Sequence, residues 1–136
     1  MNKAILFFIS LFFYCRVNAQ LVQVLHLQCE YQSNPLGIEN PRPQLCWQLN
    51  ATQRNVMQTA YRILVSDKPQ LLEKNIGNMW DSKKVSSGQS LQIAYAGKKS
   101  LLPSKDYYWK VMVWDNQNNI SGWSKQAHWQ MHHQNK

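Results

Sequence analysis

The sequence lacks the short motifs that mark many enzyme sites. It has no nucleophile elbow, no glycine-rich phosphate loop and no Cys and His spacing that would hold zinc. Long helical periodicity is missing too, and the best helix candidate is a single turn at residues 69–74. Internal repeats and low-complexity segments are also absent. These absences argue against hydrolase, nucleotide and zinc chemistry of the common kinds, and they point to a chain made mainly of β-strands.

Acidic residues are scarce after the first nineteen positions. Residues 20–136 contain seven Asp and Glu against thirteen Lys and Arg, and the basic residues are scattered along the chain. The basic doublets are Lys83-Lys84 and Lys98-Lys99. Proteins that bind nucleic acid usually concentrate positive charge on one face or helix. We therefore expect no nucleic-acid partner, and we interpret the charge as solvation with weak attraction to acidic surfaces or glycans.

Residues 1–19 are predicted to be a signal peptide rather than part of the fold. Lys3 supplies a positive charge, residues 4–14 form an apolar run, and the sequence V-N-A fits a cleavage site after Ala19. The apolar run is too short to span a bilayer. The sequence therefore predicts an exported protein, periplasmic or extracellular, with no membrane span and with one folded domain at residues 20–136.

Two cysteines, Cys29 and Cys46, lie in the predicted domain. Export makes a disulfide between them possible. Alternation places Cys29 on the apolar face of its strand, together with Leu25 and Tyr31. Cys46 has the opposite phase from Trp47 in the next strand, so the two thiols should point in different directions. This phase argues against a bridge, and two cysteines alone do not make a metal site.

Short runs of alternating apolar and polar residues, separated by turn residues, cover the domain. Seven strands are predicted, at residues 21–31, 45–49, 59–66, 79–85, 90–95, 106–115 and 123–131. Strands of this number and length suggest two antiparallel sheets packed face to face. The fold class predicted is therefore all-β, a two-sheet antiparallel sandwich.

A spaced set of residues around the longest strand indicates the type of sandwich. The pattern L-x-P-x-x-x-Y-x-x-x-V-x-V is formed by Leu101, Pro103, Tyr107, Val111 and Val113. It resembles the tyrosine corner of fibronectin type III and immunoglobulin-like domains, in which the ring is buried and the hydroxyl bonds back to the chain. We therefore expect Tyr107, Trp109 and the two valines to face the core. Trp47 is the expected core residue of the second strand.

The same alternation turns other large side chains outward. Tyr108, Met112 and Trp114 should lie on the outer face of the longest strand, next to Lys110. Leu64 on a neighbouring strand should join them. Scattered apolar residues are normal on any surface. A row of them on one strand instead favours a docking surface for another domain or protein, so these residues are our interface candidates.

Longer segments resemble a narrower family. The segments NPLGIENPRPQLCWQL, MWDSKKV, YYWKVMVWD and SGWSKQAHWQM are similar to the N-terminal module of bacterial α-L-rhamnosidases. The resemblance covers residues 25–131, nearly all of the predicted domain. Two positions depart from the usual family pattern, since Cys46 stands where serine is usual and Lys83 stands where glycine is frequent. Neither departure changes the expected fold.

The resemblance implies a non-catalytic accessory module. In that family, further β-domains and a large helical domain follow, and the helical domain holds the acidic residues that cleave terminal rhamnose. Here the sequence stops at Lys136, so the resemblance implies a fragment of a larger secreted glycoside hydrolase, or a module retained alone. The carboxylates of this chain mostly fall in turns and at strand ends rather than as a facing pair. We expect no catalytic residue, no metal site and no cofactor.

Two tryptophans, Trp80 and Trp123, keep an alternative function open. Indole rings can stack on the apolar faces of sugars, so a stand-alone carbohydrate-binding module for plant or bacterial glycans is the alternative. The sequence G-W-S around Trp123, beside Lys110, also resembles the stacked Trp–cation ladder of cytokine-receptor modules. The W-S unit is not repeated, which argues against a receptor. The expected partners are other domains of a rhamnosidase-like enzyme, a separate protein, or glycans.

Overall fold

The computed structural model describes residues 22–134, so the predicted signal peptide at residues 1–19 lies outside the described residues. Eight β-strands and one short helix occupy the described range. Their bounds are β1 Val22–Cys29, β2 Gln44–Ala51, β3 Gln58–Ser66, α1 Pro69–Glu73, β4 Trp80–Asp81, β5 Val85–Ser86, β6 Ile93–Ala94, β7 Asp106–Asp115 and β8 Ala127–Gln130.

These strands form two antiparallel sheets. One sheet has three strands in the order β1-β2-β6, and the other has the order β4-β3-β7-β8 with β5 also paired to β3. The predicted all-β two-sheet sandwich is therefore confirmed. One predicted strand, residues 79–85, is instead the two short strands β4 and β5. Lys83 lies between them with φ of 55°, and this left-handed conformation, which favours glycine, bends the chain there.

Large rings fill the space between the sheets. Trp47 of β2 meets Tyr61 of β3 edge-on, with 5.3 Å between the ring centroids. Trp129 of β8 contacts two rings of β7, Tyr107 at 5.7 Å and Trp109 at 6.5 Å between centroids. Alternate residues of β7 are fully buried, namely Tyr107, Trp109, Val111 and Val113. The alternation predicted for this strand and the burial of Trp47 are both confirmed.

The facing predicted for the first strand is wrong in its first half. Val22 and Val24 are buried in the core, whereas Leu25 is exposed. The pairing register of β1 with β2 shifts between Leu25 and Gln28, because His26 has φ of 53° and inserts a β-bulge. A bulge adds a residue, so it reverses the alternation on either side of it. Cys29, beyond the bulge, is in the core as predicted. Tyr31, predicted on the same face, lies after the end of β1 with φ of 61° and is 55% exposed, so that part of the prediction is wrong.

A tyrosine corner fixes the chain before β7. The backbone N–H of Leu102 donates a hydrogen bond of 2.8 Å to the hydroxyl oxygen of Tyr107, whose ring is fully buried. The hydroxyl thereby satisfies a backbone donor at the loop that enters the strand. The predicted bond back to the chain near Pro103 is confirmed.

Cys29 and Cys46 are both free thiols. Cys29 belongs to the core, whereas Cys46 is on the opposite face of the sheet, where its Sγ donates to Gln28 Oε1 at 3.8 Å. The opposite facing of the two side chains is as predicted from phase. Burial raises the pKa of Cys29 to about 12 and also raises the pKa of Cys46. Neither thiol is therefore activated as a nucleophile.

Candidate docking face

The face of the five-stranded sheet that points away from the core is called here the outer face. It carries alternate residues of β7 and the residues of β3 that lie opposite them. The cross-strand pairs are Ala60–Trp114, Arg62–Met112, Leu64–Lys110 and Ser66–Tyr108. Three of the interface candidates, Tyr108, Met112 and Trp114, are half-buried on this face. The alternation of β7 therefore places all three on this face, as the sequence predicts, with the buried Lys110 between Tyr108 and Met112.

An ion pair crosses from β3 to β4 on the outer face. Arg62 Nε and Nη2 donate to the two carboxylate oxygens of Asp81 at 3.0 and 2.7 Å. The backbone N–H of Lys83 donates to the same carboxylate at 2.9 Å, and its ammonium is 3.1 Å away. These donors, Arg62 above all, hold the pKa of Asp81 well below its usual range. Asp81 therefore stays ionised and fixes the direction of the guanidinium.

Trp123 lies against two cations of the outer face. The Arg62 guanidinium carbon is 5.6 Å from the ring centroid, and Lys110 Nζ is 4.9 Å from it. The placement of Trp123 beside Lys110 agrees with the sequence interpretation. The sequence did not predict the contact between Arg62 and Trp123, because the two residues are far apart along the chain. Two protein cations lie against this ring, which leaves less of it for a sugar.

Two serines hold the Trp123 segment against β7. Ser121 Oγ accepts a hydrogen bond from the backbone N–H of Val113, and Ser124 Oγ accepts one from Val111, each at 3.0 Å. The backbone N–H groups of these serines donate in turn to the carbonyl oxygens of Val113 and Val111. These bonds hold the segment beside β7 before β8 begins, with the Trp123 indole against Arg62 and Lys110.

Trp114 has a cation of its own. Lys84 Nζ lies 4.8 Å from the centroid of the Trp114 ring, and the Lys84 side chain is exposed. An exposed cation–π contact is worth only about 0.5–1 kcal/mol. Another group could therefore displace Lys84 from the ring at low cost. Met112 lies between Trp114 and the Trp123 ladder along the strand, so the outer face alternates rings, a thioether and cations.

Leu64 does not belong to the exposed part of the outer face, which corrects the sequence prediction. Its side chain points to this side of the sheet but is completely buried. Helix α1 and the chain after it cover this end of the sheet, and Leu72 of the helix is completely buried as well. Lys110 Nζ donates to Leu72 O and to Asn75 Oδ1, each at 2.6 Å. Outward phase in a strand therefore did not mean exposure, because a connection folds over this part of the sheet.

Trp80, the other candidate for sugar stacking, is half-buried at the edge of the same sheet. Its ring meets Tyr95 edge-on at 5.6 Å between centroids and packs against the core. The Tyr95 hydroxyl donates to the carbonyl oxygen of Lys99 at 2.7 Å, which fixes the ring that Trp80 contacts. Packing against the core explains the position of Trp80 without a ligand.

Three aspartates of the described range, Asp67, Asp81 and Asp115, hold turns and ion pairs. Asp67 accepts from Asn78 at 2.7 Å, and Asp115 accepts from the backbone N–H groups of Gln117 and Asn119. Hydrogen bonding lowers the pKa of each of these two carboxyls. A general acid for glycoside cleavage needs the opposite, a raised pKa. Between residues 22 and 134, no three His, Cys, Asp or Glu side chains cluster as metal ligands would. No helix in that range is both long and apolar enough to cross a membrane.

This fold and this face define a class of protein, a small immunoglobulin-like sandwich module with an aromatic and cationic outer face. The model of the Rha78A-like, N-terminal immunoglobulin domain matches residues 24–133, and the chain belongs to this family. The family resemblance found in the sequence is thereby confirmed. The family description gives this domain no separate role.

Known relatives carry the same domain within much longer chains. An alpha-L-rhamnosidase of Formosa agariphila is 39% identical over 100 residues, which cover 74% of this chain and 10% of that protein. One from Streptomyces avermitilis is 35% identical over 101 residues, with 74% and 10% covered. The structure of alpha-L-rhamnosidase from Dictyoglumus thermophilum matches with a TM-score of 0.80 and 36% identity, over 84% of this chain and 13% of that one. The chain spans about a tenth of the length of the curated relatives it matches.

Proposed function

We propose that the chain is an exported, non-catalytic interaction module that docks through its outer face. The partner is another domain of a rhamnosidase-like enzyme or a separate protein. The observation that carries this proposal is the row of half-buried side chains Tyr108, Met112 and Trp114 on a single strand, bordered by cations. A face of this kind combines aromatic anchors with charges that can be matched by a partner, as interface hot spots do.

The chemistry of the outer face indicates what it would contact. Met112 and Trp114 are already half-buried, so their complete burial would contribute about 1–2 kcal/mol each at roughly 25 cal/mol per Å². Lys83 and Lys84 are exposed at the border of this face, and Lys83 is already paired with Asp81. Lys84 contacts only the Trp114 ring among the described ion pairs and cation–π contacts, so a carboxylate of a partner would find an unpaired cation there. An apolar surface with acidic residues at its edge therefore fits best.

Replacement of Trp114 by serine tests the docking proposal. The unpartnered chain should self-associate through this apolar row, and Trp114→Ser should weaken that association by about tenfold or more, as the burial energy implies. Light scattering against protein concentration measures it. Leu91→Ser removes an exposed apolar residue away from the outer face and serves as the control. Equal association of both variants would count against the proposal.

The absence of catalysis is part of the same proposal, because Asp67, Asp81 and Asp115 are engaged in turns and ion pairs. An assay with an aryl rhamnoside should therefore give no release above the uncatalysed rate. Carbohydrate binding is the alternative function. A sugar could stack on the half-buried Trp114 ring only by displacing Lys84 from it. Titration of tryptophan fluorescence with rhamnose-containing glycans separates the two. A saturable change that Trp114→Ser abolishes would favour the sugar-binding module, whereas a flat titration favours docking.

A further inference from the structure

One end of the sandwich, away from the outer face, holds three adjoining hollows. Pro41 and Leu101 line both the first and the second hollow, and Met131 and His132 line both the second and the third. Because they share these residues, the three hollows adjoin one another, and together they are called here the end trough. The second and third hollows have volumes of about 310 and 400 Å³, enough for several side chains rather than one.

The floor of the end trough is aliphatic. Ile38 and Met131 lie in it with only 7% of their surfaces exposed, and Pro103 lines the second hollow beside them. Leu36 lines the third hollow with 72% of its surface exposed, which is a large unprotected aliphatic side chain. No Trp, Tyr or Phe lines the second or third hollow. Sugars are usually stacked on such rings, so this floor suits aliphatic side chains better than pyranoses.

The first hollow is basic. Arg42, Lys98 and Lys99 line it, and no carboxylate does. Between residues 22 and 134, none of these three cations makes an ion pair. The one carboxylate that lines the trough is Glu39, which lies 4.0 Å from His132 at the second hollow. Unpaired cations at a concave site attract anions, so the first hollow should prefer negatively charged groups, whereas the third hollow has no such preference.

The walls of the end trough are formed before any partner binds. Ile38 N–H donates to Gln130 O at 2.9 Å, and His132 N–H donates to Ile38 O at 2.8 Å. At the basic end, a side chain at Gly97 would overlap the Tyr95 hydroxyl and Met79 O, so this turn is tightly packed. A site with a fixed backbone loses little conformational entropy on binding.

We infer that the end trough binds an extended polypeptide segment of a partner domain. Aliphatic side chains of this segment lie over the second and third hollows, and its carboxylates lie beside Arg42, Lys98 and Lys99. The family match extends to residue 133, which lines the third hollow, and the family places this domain N-terminally. In the relatives, the polypeptide that follows the domain therefore starts beside the trough. This second contact surface is independent of the outer face.

Fluorescence polarisation with labelled synthetic peptides tests the inference on the purified chain. Three peptides of equal length are compared: one half aliphatic and half glutamate, one half aliphatic and half lysine, and one with serine in place of the aliphatic half of the first. The aliphatic–glutamate peptide should bind at least about tenfold more tightly than either of the others. Its affinity should also fall as salt is added.

Charge reversal gives the decisive comparison. The triple variant Arg42→Glu, Lys98→Glu, Lys99→Glu should exchange the preference, so that the aliphatic–lysine peptide binds best. A triple variant with the same charge change at exposed positions elsewhere, Arg54→Glu, Lys74→Glu and Lys125→Glu, should keep the original preference. Leu36→Asn should weaken binding of the aliphatic–glutamate peptide without changing the preference for glutamate over lysine.

Two results would overturn the inference. One is an equal effect of the two triple variants, which would assign the binding to net charge alone. The other is saturable binding of an acidic oligosaccharide, such as oligogalacturonate, in place of every peptide. Because no substitution here touches the outer face, failure of this inference leaves the docking proposal standing, and the reverse also holds.

Discussion

Asp81 accepts hydrogen bonds from Arg62 and Lys83 on the outer face. Its replacement should therefore change the stability of the fold in a pH-dependent way. Its pKa is depressed in the folded state, so its stabilisation is complete above the unfolded pKa of about 4 and is lost as the pH falls through the folded value. Asp81→Asn should therefore lower the free energy of unfolding at pH 7 by about 1–3 kcal/mol. The difference from the parent chain should shrink on acidification below about pH 4.

Urea denaturation at several pH values measures this effect. Glu73→Gln supplies the matched control, because Glu73 is exposed on α1 and makes no ion pair within the described range. A constant difference between Asp81→Asn and the parent from pH 7 to pH 3 would contradict the assignment of Asp81 as the ionised partner of Arg62.

The Tyr107 hydroxyl offers a second prediction at the residue scale. Tyr107→Phe keeps the buried ring and removes only the acceptor of the Leu102 N–H bond. The free energy of unfolding should fall by about 1 kcal/mol, the usual net value of one such bond. Tyr108→Phe, one position along and half-buried, should leave stability nearly unchanged. Equal effects of the two substitutions would show that the tyrosine corner contributes nothing through its hydrogen bond.

At the scale of elements, helix α1 depends on a residue of β7. The Lys110 ammonium holds Leu72 O and Asn75 Oδ1, so it ties the C-terminal end of this five-residue helix to the sheet. A helix this short is not stable by itself, and its position must come from such contacts. The buried lysine therefore has a structural role, even though burial lowers its pKa.

Lys110→Met should release the helix from the sheet. The methionine can fill the space but removes the charged donor from Leu72 O and Asn75 Oδ1, and loss of these two hydrogen bonds should cost about 1–3 kcal/mol. Hydrogen exchange of the Lys74, Asn75 and Ile76 amides, which bond back into the helix, should accelerate markedly. Lys125→Met, at an exposed position, should leave these amides protected. Unchanged exchange in Lys110→Met would show that α1 is held by Leu72 packing alone.

At the scale of the whole molecule, the two buried thiols report on global unfolding. Cys29 and Cys46 expose only 1% and 6% of their surfaces, and burial raises the pKa of both. In a chain carrying Cys15→Ser, neither thiol should react with Ellman's reagent at neutral pH under native conditions. Both should react after unfolding in urea. Rapid reaction of one thiol in the native chain would mean that its sheet opens locally rather than with the whole sandwich.

The two proposed contact surfaces lie on different parts of the molecule. The outer face lies on the five-stranded sheet and is built from β7 and its neighbours, whereas the end trough is built from loops around Pro41, Leu101 and Met131. A domain that contacts partners at two places would be held in one orientation, since each contact restricts the rotation that the other allows.

The sequence alone determined the sandwich class, because alternation in β7 and the spacing from Leu101 to Val113 depend only on local geometry. Period two dictates which residues share a face, and the buried tyrosine needs a partner for its hydroxyl. The same reasoning identified Tyr108, Met112 and Trp114 as outward residues and separated the two cysteines.

Tertiary structure alone decided what covers each face. Alternation could not reveal the bulge at His26, which reverses the facing of β1, because a single left-handed residue leaves little trace in hydropathy. It could not show that α1 buries Leu64, or that Arg62 reaches Trp123 from a distant strand. The end trough was equally hidden, since its walls come from separate parts of the chain. Exposure depends on contacts between elements, whereas direction depends on the backbone of each element itself.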